Sequence, residues 1–512
     1  MDAAYVYVGV ALVSLFIVFA GRRRSAAHGG DGGLRLPPGP WQLPVIGSLH
    51  HFTGKLPHRA MRDLARRHGP AMLLRLGEVP TLVVSSREGA REVMKTHDTT
   101  FATRPLSTTM RVITNGGRDI VFAPYGDYWR QLRKIAVTEL FTARRVLSFR
   151  AIREEEVAAA LREVGEAATA AERPVEMHAL LSALVADSTV RAVMGDRCKE
   201  RDAFLLELDR ALKLSAGFNP ADLWPSSRLA VRFSGAARRA KECRDAVYGI
   251  LDGVIQEHLE RMDSGRGHHE DLIDVLLRIQ EEGGLQFPLD MDAIKSVIFD
   301  IFGAGSETAA TTLEWAIAEL IKNPKIMQKA TAEVRQAFHS RGAVAEHALS
   351  DLRYMHLVIR ETLRLHTPLP LLLPRECQEP CRVLGYDVPR GTQVLVNAWA
   401  LARDERYCPD APEEFRPERF EGGAAAAADF GGTDFAFLPF GAGRRMCPGM
   451  AFGLANVELA LASLLFHFDW ERPGSDELDM TEAFGITARR RGQLLLRPVL
   501  RVPVPGVAST VM

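Results

Sequence analysis

Phe440-Gly441-Ala442-Gly443-Arg444-Arg445-Met446-Cys447-Pro448-Gly449 is the stretch on which the reading of this chain turns, and it leads into a mostly apolar run over 450–467 that has helical spacing. A cysteine on a glycine-rich loop ahead of a helix N-terminus is well placed to exist as a thiolate, because the helix dipole and nearby arginines favour the anion. Gly441, Gly443 and Gly449 let backbone approach a large flat ligand closely. A thiolate in that setting can ligate haem iron and push electron density towards it, which favours O–O cleavage. An isolated cysteine is more often a small buried hydrophobe, so the ten residues together, and not Cys447 alone, carry the inference.

Phe440, Gly443, Arg445, Cys447 and Gly449 satisfy every fixed position of F-x-x-G-x-R-x-C-x-G, and in this the chain resembles the cytochrome P450 superfamily, whose haem-binding signature that is. The resemblance continues upstream. Glu361-Thr362-Leu363-Arg364 matches E-x-x-R, and Glu361 and Arg364 lie one turn apart on a helix face. Such a pair by itself is a surface ion pair worth a few tenths of a kcal/mol, roughly. Pro417-Glu418-Arg419-Phe420 stands between it and the cysteine, and the resemblance implies that Glu361, Arg364 and Arg419 form a buried structural triad that does not touch substrate.

Ala304-Gly305-Ser306-Glu307-Thr308 lies in the middle of a long apolar helical pattern over 291–322. Gly303 and Gly305 each cost about 1 kcal/mol relative to Ala in a helix interior. A helix tolerates that most readily where something approaches its backbone, and Ile301, Ala304, Gly305 and Thr308 share a face. Alone, a Glu-Thr pair reads as a helix-bending hydroxyl beside an exposed carboxylate. The segment resembles the family's [A/G]-G-x-[D/E]-T. That implies a kink making room for O2, a hydrogen bond from Thr308 to the oxygen held there, and Glu307 relaying protons from solvent, which is general acid catalysis. Ala309 follows where many members carry Thr or Ser, which weakens the argument for a second hydroxyl in the relay.

By the same resemblance Trp129, Arg133, Arg375 and Arg445 are candidate partners of the haem propionates, a task suited to the planar fork of arginine. Trp129 and Arg133 share a helix face; Arg130 and Lys134 form a neighbouring stripe. With Arg444, that stripe is either a solvated basic face or the docking surface for an acidic reductase. Substrate contacts are implied in 104–122, 214–224, 297–304, 368–374 and 484–486. These are mainly apolar and suit a small hydrophobic substrate, with plain core packing as the alternative for any one residue.

At the N-terminus, residues 3–20 carry no charge, enough for a helix to cross a bilayer, and Arg22, Arg23 and Arg24 follow. That order places the body in the cytosol. A cleaved signal peptide would need positive charge before a shorter apolar region, whereas Asp2 precedes this one. The expected organisation is an anchor over 1–24, a Gly/Pro-rich linker and hinge over 25–47, and one catalytic domain over 48–512.

The 512 residues balance 64 Lys plus Arg against 64 Asp plus Glu, with 47% hydrophobic and 25% charged residues, which argues against nucleic-acid binding as the main task and against disorder. Six irregularly spaced cysteines fit a reducing compartment better than a disulfide scaffold. Helical spacing is expected over 57–68, 126–139, 143–168, 178–194, 201–214, 228–262, 272–282, 291–322, 324–338 and 352–365. Short β-rich runs fall at 71–76, 81–85, 394–396 and 494–496, giving a mainly α (α+β) fold with small sheets to one side. The Ala-rich 424–428 reads as a surface insertion. Spacing supports neither a dinucleotide fingerprint nor zinc at Cys377 and Cys381.

Taken together, the resemblance is to the plant-type microsomal members. It implies haem b with Cys447 as axial thiolate, O2, and electrons from a separate NADPH-cytochrome P450 reductase, with cytochrome b5 as a further candidate donor. It also implies an endoplasmic-reticulum membrane location with a single span, and oxidation of a specialised metabolite, with terpenoids leading. The alternative is a haem-thiolate protein that rearranges hydroperoxides, or only binds haem ligands, without a reductase.

Overall fold

The computed structural model describes residues 33–169, 173–195, 199–263, 270–422, 429–474 and 476–507. The expected anchor over 3–20, the start of the linker and the Ala-rich insertion lie outside the described residues.

Among the described residues, eleven helices of nine residues or more organise the body. They are α1 (Pro57–His68), α2 (Asp127–Ile135), α3 (Arg150–Thr169), α4 (Met177–Met194), α5 (Arg201–Leu214), α6 (Ala236–Asp263), α7 (Leu272–Glu282), α8 (Met291–Lys322), α9 (Pro324–Phe338), α10 (Arg353–Leu365) and α11 (Met450–His467). Strands β1 (Ala71–Leu76), β2 (Val79–Val84), β4 (Arg375–Glu376) and β7 (Gln393–Val396) make one sheet in the order β1-β2-β7-β4. β3 (Val175–Glu176), β9 (Leu495–Leu500) and β8 (Phe468–Glu471) make a second, and β5 (Cys381–Val383) with β6 (Tyr386–Val388) a third. β2 and β7 are parallel, with Thr81 opposite Gln393 and Val84 opposite Val396. The Pro-rich stretch before residue 48 lies along β1, where the Leu73 amide donates to the Pro38 carbonyl at 2.8 Å.

α8 explains how the interior is divided. Its first half, Ala293 to Phe302, packs into one apolar core with α5, α6 and α7. Its second half, Ala309 to Leu320, packs into another with α3, α4, α9, α10 and α11. Between them, of residues 303–308 only Ser306 is buried. The helix is thus held at both ends and open in the middle, where the two glycines are. α11 has the length and hydropathy of a membrane span, but 67% of it is buried inside the protein. It is an interior helix.

Two expected helices are each broken in two. The pattern over 143–168 divides at Phe149, between Ala143–Ser148 and α3. That over 228–262 divides at Gly235, whose φ of +61° no helix accommodates, between Arg228–Ser234 and α6. α2 stops at Ile135 and passes into a wider turn, Ala136–Leu140. β2 begins two residues before the expected 81 and includes Pro80, tolerated because Pro80 lies beyond the residues paired with β7. The five described cysteines are free thiols.

Candidate active site

The glycine-rich loop is locked from below. Gly443 has φ +70°, and a Cβ there would lie 2.2 Å from the Met94 carbonyl oxygen and 2.8 Å from Asp98 Oδ1. The reading that all three glycines make room for a ligand is corrected here: Gly441 lines the cavity, while Gly443 is needed for its contact with Met94. The loop closes on itself through the Cys447 amide, which donates to the Phe440 carbonyl at 3.0 Å. Phe440 lines the cavity and packs edge-on against Phe430, with ring centroids 5.4 Å apart.

Cys447 opens onto a cavity but is enclosed by protein. Burial pushes its thiol pKa up, opposed by the Gly449 amide and Arg133. This differs from the expectation that the helix dipole and nearby arginines favour the anion. In the protein by itself desolvation wins, and a coordinated metal is the agent that would deprotonate the thiol.

Four cations gather on the cavity wall, Arg104, Arg133, Arg375 and Arg445. The guanidiniums of Arg104, Arg375 and Arg445 are spent largely on backbone carbonyls. Arg445 Nε donates to Ala102 O at 2.6 Å and its NH2 to Ala123 O at 2.5 Å. Arg375 NH2 donates to Ala442 O at 2.9 Å, and Arg104 NH1 to Leu373 O at 2.6 Å and Pro374 O at 2.9 Å. Burial depresses the pKa of Arg445 to about 9 and of Arg375 to about 10. Arg104 is lowered well below the usual range by burial, then by Arg375 and Arg445. The nearby carboxylates are Asp98, 3.5 Å from Arg375, and Asp119. Arg104 Nε is buried with no partner. Such a cluster is under-neutralised, which is costly unless an anion joins it. The cavity offers about 1180 Å³ of space, counting its mouth. A flat dianionic macrocycle fits this donor set, with Cys447 supplying the metal ligand.

Trp129 is placed differently from expectation. Its indole N–H is spent on the Ile120 carbonyl at 3.0 Å, and its ring lies 4.3 Å from the Arg445 guanidinium. It supports an arginine and does not itself offer a donor to the cavity. In the sequence Arg104 stands at the edge of the 104–122 substrate segment, and no local pattern marks it as a cation of this cavity wall.

Above the loop, Ala304 and Thr308 of α8 border both this cavity and a second, apolar one of about 770 Å³. Thr308 Oγ1 donates to the Ala304 carbonyl at 2.7 Å. Glu307 points to the side, where Thr487 Oγ1 donates to its Oε1 at 2.9 Å. Two turns earlier on α8, Asp300 Oδ2 accepts from the amides of Ile120 and Val121 at 2.8 and 2.9 Å, stitching the 119–123 loop to the helix. Asp119 on that loop is fully buried, which raises its pKa to about 6; Asp300 is raised further by burial and by Asp119.

The three triad residues come together away from the cavity. Arg364 donates to both oxygens of Glu361 at 2.7 and 2.9 Å, and Arg419 Nε to Glu361 Oε1 at 2.8 Å. Glu361 is fully buried, and the spare donors of Arg364 hold the carbonyls of Ala402, Pro412 and Glu414.

A model of the cytochrome P450 family matches residues 37–496. Zealexin A1 synthase of Zea mays is 49% identical over 92% of this chain and 93% of its own, and Dolabradiene monooxygenase of Zea mays 50% identical over 91% and 93%. Premnaspirodiene oxygenase of Hyoscyamus muticus is 45% identical over 94% and 96%. A solved structure of a zebra fish cytochrome P450 with abiraterone superposes with TM-score 0.72 at 27% identity, covering 87% of this chain and 99% of that one. Fold and cavity are therefore those of a haem-thiolate enzyme that uses O2 and electrons from a redox partner, acting on a hydrophobic substrate. The chain belongs to the cytochrome P450 family.

Proposed function

We propose that the chain is a microsomal monooxygenase that hydroxylates or otherwise oxidises a terpenoid, with electrons from NADPH-cytochrome P450 reductase and cytochrome b5 as an accessory donor. The observation that carries this is the apolar cavity meeting the Cys447 cavity at Ala304 and Thr308. The names of Dolabradiene monooxygenase and Premnaspirodiene oxygenase support a diene-derived carbon skeleton as the substrate.

In this reading Cys447 would supply the thiolate ligand of the haem, and Arg104, Arg133, Arg375 and Arg445 would hold its propionates, with Trp129 bracing Arg445. When bound, the haem supplies the redox chemistry by which O2 is activated. Thr308 and Glu307 serve proton delivery beside it. Phe440 and Gly441 wall the cavity, Gly443 and Gly449 shape the loop around Cys447, and the Glu361, Arg364 and Arg419 triad fixes the segment over 402–419. Apolar walls exclude water and orient a substrate that has few hydrogen-bonding groups. Residues 3–20 anchor the catalytic domain over 48–512 to the endoplasmic reticulum, facing the cytosol, with 25–47 as the hinge. Arg130, Lys134 and Arg444 form a docking face for the reductase, although Arg130 is paired with Asp127 and Arg444 faces Asp98 at 3.6 Å.

The test is product formation from sesquiterpene and diterpene hydrocarbons with NADPH and added reductase. Oxygenated product that requires NADPH is the expected result. Turnover of hydroperoxides without reductant, and none of the hydrocarbons, would overturn it.

A further inference from the structure

The Glu307 carboxylate is held from outside its own helix. Thr487 Oγ1 donates to Glu307 Oε1 at 2.9 Å, and the Arg489 guanidinium stands 3.9 Å from the same oxygen. Both residues belong to the segment before β9, and nothing in the local sequence connects them to a residue 180 positions earlier.

Two further ties set the register of that segment against α8. Trp315 Nε1–H donates to the Ala488 carbonyl at 2.8 Å, and Arg490 faces Glu314 at 3.5 Å. Trp315 is fully buried and stacked on His366, with ring centroids 3.9 Å apart and planes within 7°. Arg490 is fully buried on its side chain. The backbone carrying Thr487 and Arg489 is therefore fixed two turns along the helix from Glu307, by contacts that do not depend on Glu307 at all.

The two residues look in different directions. Thr487 is 6% exposed and, with Ile486 and Thr308, lines the apolar cavity. Arg489 keeps 30% of its side chain accessible, and Glu307 keeps 18%. The carboxylate thus spans from a cavity-lining hydroxyl to a solvent-reaching guanidinium.

We propose that Thr487 and Arg489 are positioning residues for Glu307, holding its carboxylate on a proton route that enters at the Arg489 edge and ends at the Thr308 side of the cavity. This rests on the reading of Glu307 as a proton-delivery residue. The carboxylate takes a proton from water at the Arg489 edge and gives a proton up on the cavity side, returning to its starting charge. Thr487 and Arg489 break no bond in the cycle; they restrict where the carboxylate oxygen sits. Precise placement is what makes a general acid effective.

The experiment compares full-length wild type with Thr487→Val, Thr487→Ser, Arg489→Gln and Glu307→Gln, in membranes with reductase and NADPH. Read out are product formed per NADPH, hydrogen peroxide released, the solvent deuterium isotope effect on that partition, and the substrate Kd from the spin-state change. Thr487→Val is expected to lower product per NADPH about tenfold, the equivalent of one hydrogen bond to a charged group, with peroxide taking up the difference. Thr487→Ser restores it to within about twofold, because the hydroxyl returns. Arg489→Gln lowers it about threefold, as befits a half-exposed ion pair. The substrate Kd should move far less than the partition in every variant.

If Glu307→Gln collapses the partition while Thr487→Val and Arg489→Gln behave as wild type, the positioning proposal alone is overturned. If Glu307→Gln itself behaves as wild type, the role of Glu307 falls and the proposal with it. Equal loss in Thr487→Val and Thr487→Ser would also overturn it, since the hydroxyl would then not be the cause.

Discussion

Replacing Gly443 by Ala tests whether the cysteine loop is held by the contact beneath it. At φ +70° any side chain is in the left-handed region, which costs about 1–2 kcal/mol. The larger effect is steric: the new Cβ would lie 2.2 Å from the Met94 carbonyl oxygen. A carbon and a carbonyl oxygen settle no closer than about 3.3 Å, so loop or helix must give by about 1 Å. Overpacking of that kind adds about 1–3 kcal/mol, for a total near 3. Gly391→Ala is the matched control, because Gly391 has φ +81° and nothing within 4 Å of the added Cβ. It carries the backbone strain without the clash. Both variants are melted as haem-loaded protein, and the fraction with a thiolate-type reduced carbonyl spectrum is recorded. Gly443→Ala should melt lower than Gly391→Ala and lose a large part of the thiolate form, while Gly391→Ala keeps it. Equal melting and an intact spectrum in Gly443→Ala would refute the claim that Met94 locks the loop.

Glu361→Gln leaves two buried guanidiniums facing a neutral amide and should cost about 3–5 kcal/mol in stability, seen as a lower melting temperature with an unchanged substrate Kd in the folded fraction. Asp119 predicts a pH dependence. Its folded pKa of about 6 stands above the unfolded value of 3.8, so the unfolded chain releases its proton first as pH rises, and stability falls between about 4 and 6. Over that window the loss is of order 3 kcal/mol, and unfolding of Asp119→Asn across pH should lack this component. A slope unchanged in Asp119→Asn would show that the buried carboxyl is not its source.

What the sequence made legible was contiguous. The bounds of α5, α7, α8, α9 and α11 follow from hydrophobic spacing and their flanking residues, because each buries a stripe or a whole surface along its length. The Cys447 loop and the Ala304 to Thr308 segment carry their chemistry within ten residues or fewer. The rest depends on partners distant in the chain. Arg104 joins a cluster of cations on the cavity wall only when Arg375 and Arg445 are brought beside it. Trp129 is diverted to Ile120 by a loop that Asp300, on another helix, pins in place. Thr487 meets Glu307 because Trp315 and Arg490 set a register that no local pattern encodes. Gly443 reads as clearance for a ligand and serves the contact with Met94, since a sequence shows that a side chain is missing but not what occupies the space. β8 was missed because Phe468 to Glu471 continues the apolar end of α11 without a break signal.

The central claim is that Cys447 is the axial ligand of a haem in this cavity, and the reduced, CO-bound difference spectrum of wild type against Cys447→Ser tests it most directly. The account predicts the thiolate-type Soret shift in wild type and its loss in Cys447→Ser. A Soret shift that survives unchanged in Cys447→Ser would contradict it.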